Sequence, residues 1–244
     1  MQWRNEKNRK AIFIKSNNLC LDFKKVKDSG VHAVIFKVSY GLNPYKKALI
    51  NNIKKAKESG LLIGLYKEFD ETSSPNLQGF LFSRILKKYD LDLYPILSIK
   101  SNKHNLSKKE FSDKCLKFMN IVKKNSGKEC VIKTSTRFAN NNLDDRIGNN
   151  KFWSMDEDKD TFKHNKIWDD WDCFNCNKKH IINGINNKFE LGEIKKSFIK
   201  TTLKDEKLIK DKIMEEKLKQ NKCNCGHYHY KQDNCNCGHC HHKY

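Results

Sequence analysis

From residue 11 to about 192, short apolar runs alternate with lysine-rich stretches whose apolar residues recur at helical spacing. AIFIK (11–15), HAVIFKVSYG (32–41), LLIGLYKEF (61–69), YPILSIKS (94–101), ECVIKTS (129–135) and KFWSM (151–155) have strand length and favour β-branched and aromatic residues. Between them, 22–30, 43–60, 76–90 and 107–127 read as helices, three of which end in glycine. In the last of these, Phe111, Cys115, Phe118, Met119 and Val122 fall on one face. A shorter helix is expected near 137–145. Such β/α repetition predicts an α/β fold with a parallel sheet, and the number of units predicts an irregular TIM-like (β/α) barrel over 11–192, preceded by an N-terminal extension of residues 1–10.

After Gly192 the pattern changes. Residues 193–222 contain neither Gly nor Pro and read as one long charged helix. Its thin apolar stripe of Phe198, Ile199, Leu203, Leu208, Ile209 and Ile213 suits docking or a partner helix. The final segment, 223–244, repeats itself: CNCGHYHYK (223–231) returns as CNCGHCHHK (235–243). It gathers Cys223, Cys225, Cys235, Cys237 and Cys240 with His227, His229, His239, His241 and His242. Thiolate and imidazole together suit zinc or another soft transition metal. The spacing is Cys-x-Cys rather than the Cys-x₂-Cys of folded zinc modules, and apolar residues are nearly absent, so disorder is expected without metal or cross-links. Reversible metal binding and disulfide cross-linking that drives self-association are both compatible with this tail, as is a low-complexity segment without a role. A separate CFNC (173–176) has metal or redox spacing but is expected on a loop, as unpaired thiols or one disulfide.

Charge narrows the partners. Lys and Arg number 49 against 29 Asp and Glu, a formal charge of +20. Such a surface attracts anionic polymers. The excess is nearly all lysine, spread evenly and accompanied by many asparagines, which reads as the compositional bias of an AT-rich genome. With no RNA- or DNA-binding motif beside it, the charge argues against nucleic acid as partner. No stretch approaches the roughly 18 apolar residues of a membrane span, and the N-terminus lacks the apolar core of a secretory signal.

The runs DFKKVKDSGVHAVIFKVSYG and NNIKKAKESGLLIGLY, followed in order by LDLYPILSIKS, VIKTSTRFANNNLDD, FWSM and INGINNKFELGEI, resemble the family 25 glycoside hydrolases. These lysozyme-type muramidases are irregular β/α barrels that cut peptidoglycan between its two sugars. The resemblance implies where catalytic carboxylates belong. The family's first strand ends Gly-Ile-Asp, and that register here is Ala11, Ile12 and Phe13. The fourth strand's Asp-x-Glu falls on Ser98 and Lys100, and the last strand's Asp on Glu190, the one carboxylate retained. It further implies Tyr40, Tyr66, Trp153 and Trp171 as glycan-cleft aromatics, with Lys37 in place of an arginine.

Glycoside hydrolysis needs a protonated acid for the leaving group and a second carboxylate for the positive charge on the sugar. A lysine, charged below its ordinary pKa of about 10.4, opposes both tasks. No catalytic residue is therefore expected to be intact. The expectation is a pseudoenzyme: a lysozyme-like structural or wall-associated protein of a bacterial spore's outer layer, made in the mother-cell cytoplasm without a signal peptide and deposited on the spore. Its partners would be peptidoglycan or another anionic wall polymer. Two alternatives differ in class: a peptidoglycan-binding module that does not cut, and a residual muramidase whose acids have moved to Glu68, Asp70 or Glu71 at the end of the third strand.

Overall fold

The computed structural model describes residues 8–14, 21–38, 43–156, 159–180, 182–184 and 189–199. By internal contacts the chain divides into one unit of residues 1–200 and another of 201–244. The second unit, with the Cys/His tail and most of the expected charged helix, lies outside the described residues.

Eight strands close into a barrel in chain order. The elements run β1 (Arg9–Ile14), α1 (Phe23–Asp28), β2 (Ala33–Lys37), α2 (Asn43–Glu58), β3 (Leu62–Glu68), α3 (Pro75–Leu86), β4 (Ile96–Ser98), α4 (Lys108–Ser126), β5 (Val131–Thr134), α5 (Thr136–Asn142), β6 (Phe152–Ser154), α6 (Lys159–Lys163), β7 (Cys173–His180) and β8 (Phe189–Ile194). Strands β1 to β7 pair in parallel. β8 runs antiparallel to both β7 and β1, which makes the barrel irregular.

Two apolar layers follow from strand alternation. Inward residues such as Ala33, Ile35, Ile96, Val131 and Trp153 fill the barrel, while Val34, Phe36, Leu97 and Ile132 face the helices. The helices begin where the sequence supplies caps. Ser107 and Glu110 form a capping box at α4, Ser74 caps α3 ahead of Pro75, and Ser135 caps α5. α4 ends at Gly127, whose φ of 69° is a left-handed cap that other residues adopt at a cost. α3 and α4 lie so close that a Cβ on Gly79 would come within 2.8 Å of the Phe118 carbonyl oxygen.

Two expected elements differ. CFNC is not on a loop: Cys173 to Cys176 lie within β7. Three steps of extended chain separate their Cα atoms by about 10 Å, beyond disulfide reach. Cys173 is a free thiol, fully buried in the barrel. The expected helix from 193 does not begin there either. Glu193 and Ile194 complete β8, pairing with Lys10 and Arg9, and a 3-10 turn follows at Lys196–Phe198. Burial decides the matter. Phe198 is fully enclosed, edge-on to Trp153 and Tyr94, and Ile199 bridges to Leu93. These side chains close the barrel's lower end, so the stripe read as a docking face belongs in part to the core.

Candidate functional site

The carboxyl ends of the parallel strands form the mouth of the barrel, where an α/β barrel keeps its chemistry. Phe13 stands there on β1. Its ring meets Tyr66 of β3 edge-on at 5.5 Å and Trp153 of β6 at 4.9 Å. Lys133 of β5 lies above it, with Nζ 4.2 Å from the ring centroid. The position at which resemblance implied an aspartate is thus an apolar ring under an ammonium group.

Ser98 is inward on β4, between Glu68 of β3 and Lys133 of β5 in register. It is 1% exposed, and among the described residues its Oγ has no hydrogen-bond partner. Two residues further, Lys100 donates from Nζ to Glu68 Oε1 at 2.9 Å. Lys37, at the end of β2, pairs with the other oxygen of the same carboxylate. Partial burial of Glu68 disfavours its charge, but the hydrogen bonds from Lys37 and Lys100 outweigh that and hold its carboxyl down at about 2.

The other two carboxylates of the third strand's end are occupied structurally. Asp70 accepts hydrogen bonds from the Ser73 and Thr72 hydroxyls, both at 2.6 Å, which hold it at about 2. Glu71 is buried and accepts from the backbone N–H of Lys103. Neither is presented to a substrate as an acid. Glu190 lies in β8 opposite Lys179 of β7; its backbone alone is described.

The expected glycan-cleft aromatics need correction. Trp153 is fully buried and donates its indole N–H to Asn175 Oδ1 at 2.8 Å. Trp171 is 1% exposed and precedes β7, at the closed end of the barrel, with Lys195 Nζ 4.5 Å from its ring. Alternation and closure of the β8 edge draw both rings into packed layers, so neither offers a face to a glycan. Tyr66 sits beneath Phe13 at 4% exposure. Tyr40 lies outside the described residues, as do Cys223, Cys225, His227, His229, Cys235, Cys237, His239, Cys240, His241 and His242. Among the described residues no group of His, Cys, Asp or Glu could hold a metal ion. No described helix is long and apolar enough to cross a membrane.

Sequence reasoning missed Lys133 and Asn175. The signal for Lys133 was present in VIKTS: alternation from the inward Val131 puts a lysine on the inner face two residues later. Asn175 is found only through its partner Trp153.

Similarity to known proteins agrees with this architecture. The chain has the fold of a bacterial lysozyme from Streptomyces coelicolor (TM-score 0.63, 14% identity, 78% of this chain and 93% of that one). It is also similar to the spore cortex lytic enzyme SleM of Clostridium perfringens (TM-score 0.67, 12% identity, 80% and 71%) and to the CTP1L endolysin (TM-score 0.63, 20% identity, 78% and 67%). No curated protein matches the chain by sequence. The model of the glycosyl hydrolases family 25 matches residues 12–185, from the heart of β1 to the approach to β8. With the barrel, its antiparallel eighth strand and that match together, the chain belongs to the glycosyl hydrolases family 25.

Proposed function

We propose that this chain is a non-hydrolytic member of its family, attached to a wall glycan as a structural component. One observation carries the reading: Glu68, the carboxylate that faces the mouth's lysines, is clamped between Lys37 and Lys100. With its carboxyl held at about 2, about one molecule in 10⁵ carries that proton at pH 7. A general acid must hold its proton near the working pH, and a typical contribution from it is about 10²–10⁴ in rate. Nor can Glu68 supply spare negative charge to an oxocarbenium-like transition state, because two ammonium groups already share it. Phe13 and Lys133 add a ring and a further cation to the same mouth.

A place in the outer layers of a bacterial spore extends this reading. It is supported by the likeness to a spore cortex lytic enzyme, by the lysine-rich composition and by a Cys/His tail suited to cross-linking or to binding a soft metal such as zinc. The two functions of the tail separate in one comparison of full-length and tail-less protein. Multimers that need the tail and dissolve in reductant support cross-linking; multimers that need it and dissolve in chelator support metal binding.

Cosedimentation with purified peptidoglycan at moderate salt tests the attachment. The protein is expected in the pellet while the supernatant gains no reducing ends. Absence from the pellet, or binding no stronger than that of an unrelated protein of similar charge, refutes attachment.

A further inference from the structure

We infer that the mouth of the barrel is a binding site for a tetrahedral oxyanion of the phosphate class, built from Lys37, Lys100, Lys133 and Ser98. The inference rests on the reading of this mouth as a cleft that binds without cutting, and it names the chemistry of what enters.

Four side chains from β2, β4 and β5 flank Glu68 of β3 there. Lys37 ends β2, Lys100 follows β4, and Lys133 is on β5, with Ser98 of β4 between Glu68 and Lys133 in register. Two ammonium groups share the single carboxylate of Glu68, so that triad keeps one positive charge in excess. The Ser98 hydroxyl is nearly inaccessible, faces the same space by strand alternation, and has no hydrogen-bond partner among the described residues. A buried hydroxyl without a partner costs free energy, which an entering acceptor oxygen returns.

The kind of anion follows from the donor set. The planar fork of arginine matches carboxylate and phosphate alike, whereas lysine ammonium groups are point charges that meet an anion's oxygens from any direction. Several point charges beside a hydroxyl suit an anion whose oxygens diverge in three dimensions, as those of phosphate do. Glu68 competes for the same lysines. It makes the site weaker than its charge suggests and gives the test a sign.

The experiment is titration of the full-length protein at constant ionic strength with inorganic phosphate, with poly(glycerol phosphate), with acetate and with neutral N-acetylglucosamine, followed by calorimetry. Phosphate is expected to bind and acetate to bind much more weakly. Lys100→Gln should weaken phosphate by about tenfold, Ser98→Ala should weaken it less, and Glu68→Gln should tighten it by about tenfold. A double variant at the far end of α3, Lys87→Gln with Lys88→Gln, removes two charges and should change nothing. Preference for poly(glycerol phosphate) identifies a phosphodiester polymer as the source, and equal or better binding of inorganic phosphate identifies free phosphate; both support the site. Equal affinity for acetate, an unchanged Glu68→Gln variant, or an equal loss in the remote variant overturns it. None of these titrations depends on attachment to peptidoglycan, so failure here and failure of the wall-attachment reading are separately visible.

Discussion

Lys133 Nζ lies 4.2 Å from the centre of the Phe13 ring, so an aromatic face meets the cation at the end of β1. A cation over a ring is worth about 0.5–2 kcal/mol, more as water is excluded. Phe13 also stands edge-on to Tyr66 and Trp153, and so serves as the keystone of the mouth's floor. Phe13→Ala is expected to cost about 3 kcal/mol by urea unfolding, more than its partial exposure alone suggests, because three partners lose contact. A loss below about 1 kcal/mol would show that the ring does not hold the floor together.

The carboxyl of Glu68 is held at about 2, against an ordinary 4.5. A group whose folded pKa is depressed contributes stability above its unfolded pKa and loses it as pH falls through the folded one. The window is therefore between about pH 4.5 and pH 2. After allowance for screening by solvent the contribution is on the order of 1–2 kcal/mol. Asp70 titrates over the same range, so wild type alone does not isolate Glu68. The difference in stability between wild type and Glu68→Gln should shrink as pH falls from 5 towards 2, measured by denaturant unfolding at each pH. A constant difference would contradict the clamp.

The contact between α3 and α4 depends on one missing methyl group. A Cβ on Gly79 would press on the Phe118 carbonyl oxygen at 2.8 Å and on Ile121 at 3.0 Å. Backbone cannot yield as a flexible side chain does, and the helix-propensity gain from alanine, about 1 kcal/mol, is too small to compensate. Gly79→Ala should lower stability by about 1–3 kcal/mol. A stabilised variant would place the two helices further apart than they are here.

Burial also sorts the cysteines. Cys115, Cys130 and Cys173 are buried free thiols, and desolvation pushes each well above the ordinary thiol range. Of the 10 cysteines, these three should resist a thiol reagent in the native protein and react on unfolding, leaving at most 7 reactive beforehand. Native labelling of Cys173, read by mass spectrometry, would contradict its place inside the barrel.

Much of the fold was legible because burial is periodic in it. The six apolar runs are six of the eight strands, and Ser107, Glu110 and Gly127 mark α4 in the sequence as they do in the structure. β7 was misread because NCNKKH is too polar to look like a strand; it is one because β8 supplies pairing along its length. Phe198 was misread for the opposite reason. Helical spacing is a local signal, and a residue that seals the end of a barrel answers to distant partners such as Trp153 and Tyr94. The mouth was half legible. Resemblance pointed to Phe13, Ser98 and Lys100, whereas the ties of Glu68 to two lysines and of Lys133 to Phe13 join separate strands and leave no trace in any one segment.

The most direct test of the central claim is release of dye from labelled, purified peptidoglycan by the wild-type protein from pH 4 to pH 8. A muramidase of known activity and the Phe13→Asp, Ser98→Asp, Lys100→Glu triple variant run beside it. The clamp on Glu68 predicts that wild type releases no more dye than a blank at any of these pH values, all well above the pH at which Glu68 would regain its proton. Saturating, enzyme-dependent release by the wild type would contradict the account and return a working acid to this barrel.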